Sequence, residues 1–205
     1  MDTQNGTAYL TESAIGGIVV LNIESGEARL VLRKHSSVEA DTSHVLTIDG
    51  QEVKRNGKPF RGNSDGIALS PDRQWLYYKS LSDTRLYRIP TEDLRNDTLT
   101  GKELEKKVVD LGSNFTTSDG MIFDQRNNLY LSDAEHDQIV QVTPQMKLNV
   151  IVQDKRLLWP DTFAWSTNGD LYVTCSQIQN MPWCHKGKST RTTPYTVYKL
   201  KVNGL

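Results

Sequence analysis

Three stretches of the chain carry the same order of residues, and that repetition limits the fold more than any other feature. Asn63-Ser64-Asp65-Gly66 leads into the short apolar run Ile67-Ala68-Leu69, then the turn Ser70-Pro71-Asp72-Arg73, then the aromatic run Trp75-Leu76-Tyr77-Tyr78, then Leu86-Tyr87-Arg88-Ile89, stopped by Pro90. The second copy runs from Ser118-Asp119-Gly120-Met121-Ile122-Phe123 through Leu129-Tyr130-Leu131-Ser132 to Gln138-Ile139-Val140-Gln141-Val142. The third runs from Pro160-Asp161-Thr162-Phe163-Ala164-Trp165 through Leu171-Tyr172-Val173-Thr174 to Val197-Tyr198-Lys199-Leu200. The N-terminus carries only the later strands of the unit, with Ala8-Tyr9-Leu10 and Gly17-Ile18-Val19-Val20. The matching tyrosines Tyr9, Tyr77, Tyr130 and Tyr172 lie 68, 53 and 42 residues apart. Such spacing fits one supersecondary unit per repeat, with insertions.

Each run is short, rich in β-branched and aromatic residues, and bounded by turn residues, so each reads as a strand. The repeating unit holds about four strands, and no long amphipathic helix interrupts it. This favours an all-β propeller over a seven-stranded sandwich. The blade parts fall at about 1–32, 63–111, 112–152 and 153–205, within one domain. The chain begins part-way into a blade and ends before a fourth strand, so it reads as a portion of a longer propeller. Four blades alone leave open sheet faces, and the isolated segment is expected to aggregate or unfold in part.

Residues 33–62 are an insertion between blades. Val45 to Val53 reads as a hairpin about the two-residue turn Asp49-Gly50, and Asn56-Gly57 is a further loop signal. An insertion of this length suits a cover over the mouth of the structure, next to Asp65. Thr91 to Arg95 reads as one helical turn, with Thr91 as its cap.

The 205 residues carry 24 Lys and Arg against 25 Asp and Glu, a formal charge of −1. Nothing in that balance suggests general attraction to nucleic acid or acidic membranes. No apolar run is long enough to span a bilayer, and no signal peptide opens the chain. Cys175 and Cys184 flank one polar loop, and their spacing permits a disulfide without requiring it. Basic residues Lys186 to Arg191 lie in the same loop and read as a solvated segment.

The repeated Asp-Gly motif, with the Tyr-bearing strands and the 49–61 loop, resembles the major royal jelly protein and yellow family. It is closest to the bacterial members labelled dopachrome-tautomerase-related. The resemblance covers nearly the whole chain. It implies a six-bladed propeller of the wider gluconolactonase type, of which about four blades are present. It also implies an extracellular or periplasmic protein, since family members are mostly secreted. Insect members are linked to pigment metabolism and to binding of biogenic amines, so the resemblance implies a small-molecule ligand, an aromatic amine among the candidates, in the central channel.

The residues themselves place Asp65, Asp119 and Asp161 just before the innermost strand of three blades, where they should converge on one mouth. Three carboxylates there suit a hard cation such as Ca²⁺, or an amine held by charge-assisted hydrogen bonds. With neither present, at least one pKa should rise. The plainer reading is turn chemistry, in which each Asp caps its own backbone and Gly supplies φ freedom. Related lactonases hold a divalent metal with Glu, Asn and Asp; here the matching positions read as Asp, and no matching Glu is present. Thr162, Phe163 and Asn114 are further candidates, with Phe163 offering an aromatic face to a cation or packing between blades. Trp75, Trp165, Tyr77, Tyr130 and Tyr172 read as core. The four histidines lack ligand spacing and read as surface loop residues. Three functions remain open: a secreted small-molecule-binding propeller, a metal-dependent lactonase-like hydrolase or tautomerase at the same site, and a scaffold for protein partners using the 33–62 insertion.

Overall fold

The structure is a computed structural model and describes residues 1–202. Its backbone is four antiparallel sheets in a row, with two small hairpins between the first and second. The first sheet is β1 (Thr7–Glu12), β2 (Gly17–Asn22) and β3 (Ala28–Val31). The hairpins are β4 (Thr47–Ile48) with β5 (Gln51–Glu52), and β6 (Lys54–Arg55) with β7 (Lys58–Pro59). The second sheet orders β8 (Ser64–Leu69), β9 (Trp75–Ser80), β10 (Tyr87–Pro90) and β11 (Val109–Asp110) from inside to outside. The third orders β12 (Met121–Phe123), β13 (Leu129–Asp133), β14 (Gln138–Val142) and β15 (Leu148–Gln153). The fourth is β16 (Pro160–Trp165), β17 (Asp170–Cys175) and β18 (Val197–Lys201).

Each middle strand is apolar on both faces because it is sandwiched between neighbouring sheets. On β9, Leu76 and Tyr78 face the first sheet, where they meet Tyr9, Ile18 and Val20. Tyr77, one residue out of phase, faces the third sheet with Leu129 and Leu131. On β13 the alternation repeats, with Tyr130 turned to the fourth sheet against Phe163, Leu171 and Val173. A period of two with both phases apolar is what a strand buried on two faces requires. Each fully buried Leu or Ile contributes roughly 1.5–3 kcal/mol. Two of the buried tyrosines have their hydroxyls satisfied across the strand pair. Arg88, opposite Tyr77, donates to its hydroxyl at 3.0 Å, and Gln141, opposite Tyr130, donates at 2.8 Å. Tyr172 differs from the expected core position: it points away from the third sheet and is exposed.

Two helical pieces bridge β10 and β11. In α1 (Thr91–Arg95) the cap position belongs to Pro90, and the Thr91 hydroxyl donates instead to the Arg73 carbonyl, which corrects the expected cap. A second helix, α2 (Gly101–Glu105), was not expected and is fixed by a capping box between Thr100 and Glu103. The first hairpin turns at Asp49-Gly50, both at positive φ, as expected. Asn56-Gly57 forms a second turn of the same kind. Cys175 and Cys184 are free thiols. Among the described residues no helix is long and apolar enough to cross a membrane.

Candidate functional site

The inner strands β8 and β16 do not pair regularly with their neighbours. The ladder shifts between Ser64 and Ile67, and again between Pro160 and Phe163. Asp65-Gly66 and Asp161-Thr162 therefore sit in bulges, which turn a side chain out of the strand plane. In the third sheet, β12 begins only after Asp119-Gly120. There the Ser132 hydroxyl takes over from the ladder, accepting from the Asp119 amide at 3.2 Å and the Gly120 amide at 2.9 Å. Thr174 has the same place in the fourth sheet and accepts from the Thr162 amide at 3.1 Å. Thr11 has it in the first and donates to the Asp65 carbonyl at 2.8 Å. A hydroxyl two residues past the repeated tyrosine thus supports three of the four sheets at the site; in the second sheet that position is Lys79.

The glycines explain how the acids come close. Neither Gly66 nor Gly120 has positive φ, so φ freedom is not their role. A Cβ on Gly120 would lie 1.5 Å from the Asp161 carbonyl oxygen, and one on Gly66 would lie 3.1 Å from that of Asp119. The glycine of one blade makes room for the aspartate backbone of the next.

The carboxyls consequently sense one another. Burial, with the charges of Asp161 and Asp65, pushes Asp119 up to about 7. Burial and the Asp161 charge push Asp65 up to about 6. Asp119 Oδ2 accepts a 2.7 Å bond from Trp159 Nε1, which opposes that rise. Asp161 Oδ1 accepts from the Thr162 hydroxyl at 3.0 Å. Among the described residues the Asp65 carboxyl has no hydrogen-bond partner, and none of the three acids forms an ion pair with a basic side chain. The capping role of the turn reading is not what these side chains do: none of the three carboxyls accepts from its own backbone.

The other candidates are placed differently. Phe163 packs between the third and fourth sheets, with its ring edge 3.3 Å from where a Cβ on Gly120 would stand. Asn114 is exposed on the loop into β12, with no hydrogen bond or charge linking it to the acids. Thr162 is exposed beside Asp161. No group of three or more His, Cys, Asp or Glu among the described residues is arranged to hold a metal ion. Asp65, Asp119 and Asp161 as placed do not form such a group. Two of the histidines are engaged in pairs: His44 Nε2 with Glu135 at 3.0 Å, and His136 Nδ1 with Asp133 at 2.8 Å.

Trp159 was missed from the sequence. It is fully buried, with its backbone in the left-handed region just before Pro160, a place uncommon for a bulky residue. The 33–62 insertion holds it there: Leu46, Ile48 and Val53 cluster with Trp159, Leu81 and Ala134. Glu135 fastens the insertion down, accepting from the Thr47 amide at 2.7 Å, His44 at 3.0 Å and the Thr117 hydroxyl at 3.0 Å. The insertion therefore packs on Trp159 and reaches Asp119 through the indole.

The major royal jelly protein profile matches residues 1–202. The chain belongs to the major royal jelly protein family. No curated protein matches it. Among solved structures, a nidogen–laminin complex superposes with a TM-score of 0.58 at 15% identity, over 83% of this chain and 53% of that one. Virginiamycin B lyase from Staphylococcus aureus superposes with 0.50 at 12% identity, over 97% and 64%. A gluconolactonase from Xanthomonas campestris gives 0.49 at 14% identity, over 69% and 44%. The likeness to the first two establishes the β-propeller fold of this royal jelly family chain. The chain spans about half the length of the nidogen-complex chain it matches.

Proposed function

We propose that this chain of the royal jelly family binds a small organic cation at the mouth formed by Asp65, Asp119 and Asp161. The observation behind this reading is three acids from successive blades, within range of each other's charge and with no basic partner. An ammonium group relieves that repulsion and gains charge-assisted hydrogen bonds, each worth about 1.5–3 kcal/mol. The charge is what the site recognises. Phe163 and Trp159 are both buried, so an aryl amine gains no aromatic contact from either. Family members are mostly secreted, which supports action outside the cytoplasm.

A second reading rests on the elevation of Asp119 to about 7. A carboxyl poised near neutrality suits proton transfer in a tautomerisation. Both readings use the same residue and are separated by turnover.

Calorimetric titration of the full chain with benzylamine and with butylamine, between pH 6 and 8, tests the binding. Both amines should bind with similar affinity, more tightly as pH rises through 6 and 7, with proton release near neutrality. Asp119→Asn should weaken both by about tenfold. Absence of binding at every pH would defeat the proposal and leave the scaffold role of the insertion in front.

A further inference from the structure

The second hairpin and the loop after β17 meet above the mouth, although about 130 residues separate them in sequence. Phe60, just past β7, stacks on Trp183 with ring centroids 5.5 Å apart and planes 19° apart. The far edge of Phe60 meets Trp159 at 6.3 Å. The indole nitrogen of Trp183 donates to Met181 Sδ at 3.0 Å. The loop is held in shape by Gln177, which is buried and binds Thr192 twice: its Nε2 donates to the Thr192 carbonyl and its Oε1 accepts from the Thr192 amide, both at 2.9 Å. The Pro182 carbonyl accepts from both the His185 amide at 3.1 Å and the Gly187 amide at 2.7 Å. This segment is an organised turn with a fixed aromatic ring, and its residues Lys186 to Thr190 are exposed, as the solvated reading expects.

Between hairpin and loop lies a cavity of about 640 Å³, lined by Lys54, Gly57, Pro182, Trp183, Lys186 and Gly187. Its size falls in the range of small-molecule pockets, about 300–1,000 Å³. Gly57 and Gly187 keep its walls low, and no atom lies within 4 Å of where either Cβ would stand. Arg55 holds its guanidinium 5.9 Å from the centroid of the Trp183 ring.

Charge is segregated here. Residues 54–61 carry Lys54, Arg55, Lys58 and Arg61, and residues 185–191 carry Lys186, Lys188 and Arg191, with no Asp or Glu in either segment. Among the described residues only Lys54 of these seven pairs with a carboxylate, Glu52 at 3.0 Å. A chain with balanced charge overall has thus brought Lys54, Arg55 and Lys186, of which only Lys54 has a carboxylate partner, to one aromatic surface. Like charges gathered in this way repel, and an anion between them removes the repulsion.

We propose that this cavity is a second binding site, separate from the acidic mouth, for a planar aromatic anion of one or two rings, such as an aryl carboxylate. Lys54 and Lys186 take the carboxylate from opposite sides, and Trp183 and Pro182 take the ring. The pocket has the opposite charge preference to the mouth below it, so the two sites select different ligands.

The test is titration of the full chain with 2-naphthoate, with 2-naphthylmethylamine as the opposite-charge comparison and dextran sulfate as a polyanion. The cavity should bind 2-naphthoate. The exposed double variant Lys54→Glu/Lys186→Glu should weaken it at least about tenfold without lowering Tm. Asp119→Asn should leave it unchanged, which keeps this result independent of the mouth. Three outcomes overturn the proposal: no 2-naphthoate binding by the parent chain, equal binding by the charge-reversed variant, or dextran sulfate binding through these lysines while 2-naphthoate does not bind. The last outcome makes the surface a docking face for a polyanion.

Discussion

Replacing Gly120 with alanine should separate the third and fourth sheets. The added Cβ would lie 1.5 Å from the Asp161 carbonyl oxygen and 2.7 Å from its carbon. Reaching an ordinary contact near 3.4 Å requires about 1.9 Å of separation between the two inner segments. Overpacking costs about 1–3 kcal/mol where side chains can yield. Here backbone meets backbone, and the Gly120 amide is also held by Ser132, so neither side moves freely. We expect a loss of at least about 3 kcal/mol. For a chain of this size each kcal/mol lowers Tm by about 2–4 °C, giving a fall of about 6–12 °C. Gly66→Ala is the graded comparison. Its nearest obstacle is Met121 Sδ at 2.7 Å, a flexible side chain, and Asp119 O lies at 3.1 Å; about 1 kcal/mol is expected. Gly101→Ala, with open space around its Cβ, should be neutral. Urea and thermal unfolding of the three variants give the ranking. A Gly120→Ala protein melting within about 2 °C of the parent would refute the close approach of Asp161.

Further outcomes concern charge and the insertion. Asp119 is raised in the folded state, so the folded protein holds the extra proton between about pH 4 and 7 and loses stability as pH rises through that window. Asp119→Asn should therefore match the parent near pH 4 and exceed it at pH 8 by up to about 4 kcal/mol in urea unfolding; no gain at pH 8 would count against the burial and repulsion described. Lys79 is fully buried, and desolvation lowers it to about 8. Its Nζ donates to the Ser80 and Asp83 carbonyls. The parent should thus gain stability between pH 8 and 10.5, and Lys79→Met should lose that rise when the two unfolding curves are compared. Glu135→Gln should weaken the hold on the insertion by about 1–3 kcal/mol, read as faster hydrogen exchange at the Thr47 amide; unchanged exchange would show that Leu46, Ile48 and Val53 hold the segment without it.

The strands were legible because their signal is local. The Tyr-bearing runs announce themselves through β-rich composition and turn residues at both ends, and Asp49-Gly50 fixes its own hairpin. The convergence of Asp65, Asp119 and Asp161 was legible because the repeat places them at equal offsets. What lay outside the sequence depends on neighbours distant in the chain. Gly66 and Gly120 look like turn glycines, yet their need is space for a carbonyl one blade away. Trp159 sits in no motif; its role comes from an insertion about 110 residues earlier. Phe163 could not be assigned from its own strand, because which face a propeller strand turns to the axis depends on the bulge at Asp161-Thr162. Two signals were present and unread. Thr100 with Glu103 is a capping box, and Thr11, Ser132 and Thr174 recur two residues after the repeated tyrosine. The basic loop at 186–191 gains meaning only beside residues 54–58.

The central claim is that three acids from three blades share one mouth and feel each other's charge. Carboxyl carbon NMR across pH 3 to 9, on the parent and on Asp161→Asn, measures this directly. The account predicts that Asp119 titrates near 7 and Asp65 near 6, and that both fall when the Asp161 charge is removed. Two ordinary carboxylate titrations near 4, or elevated values that Asp161→Asn leaves unmoved, would contradict it.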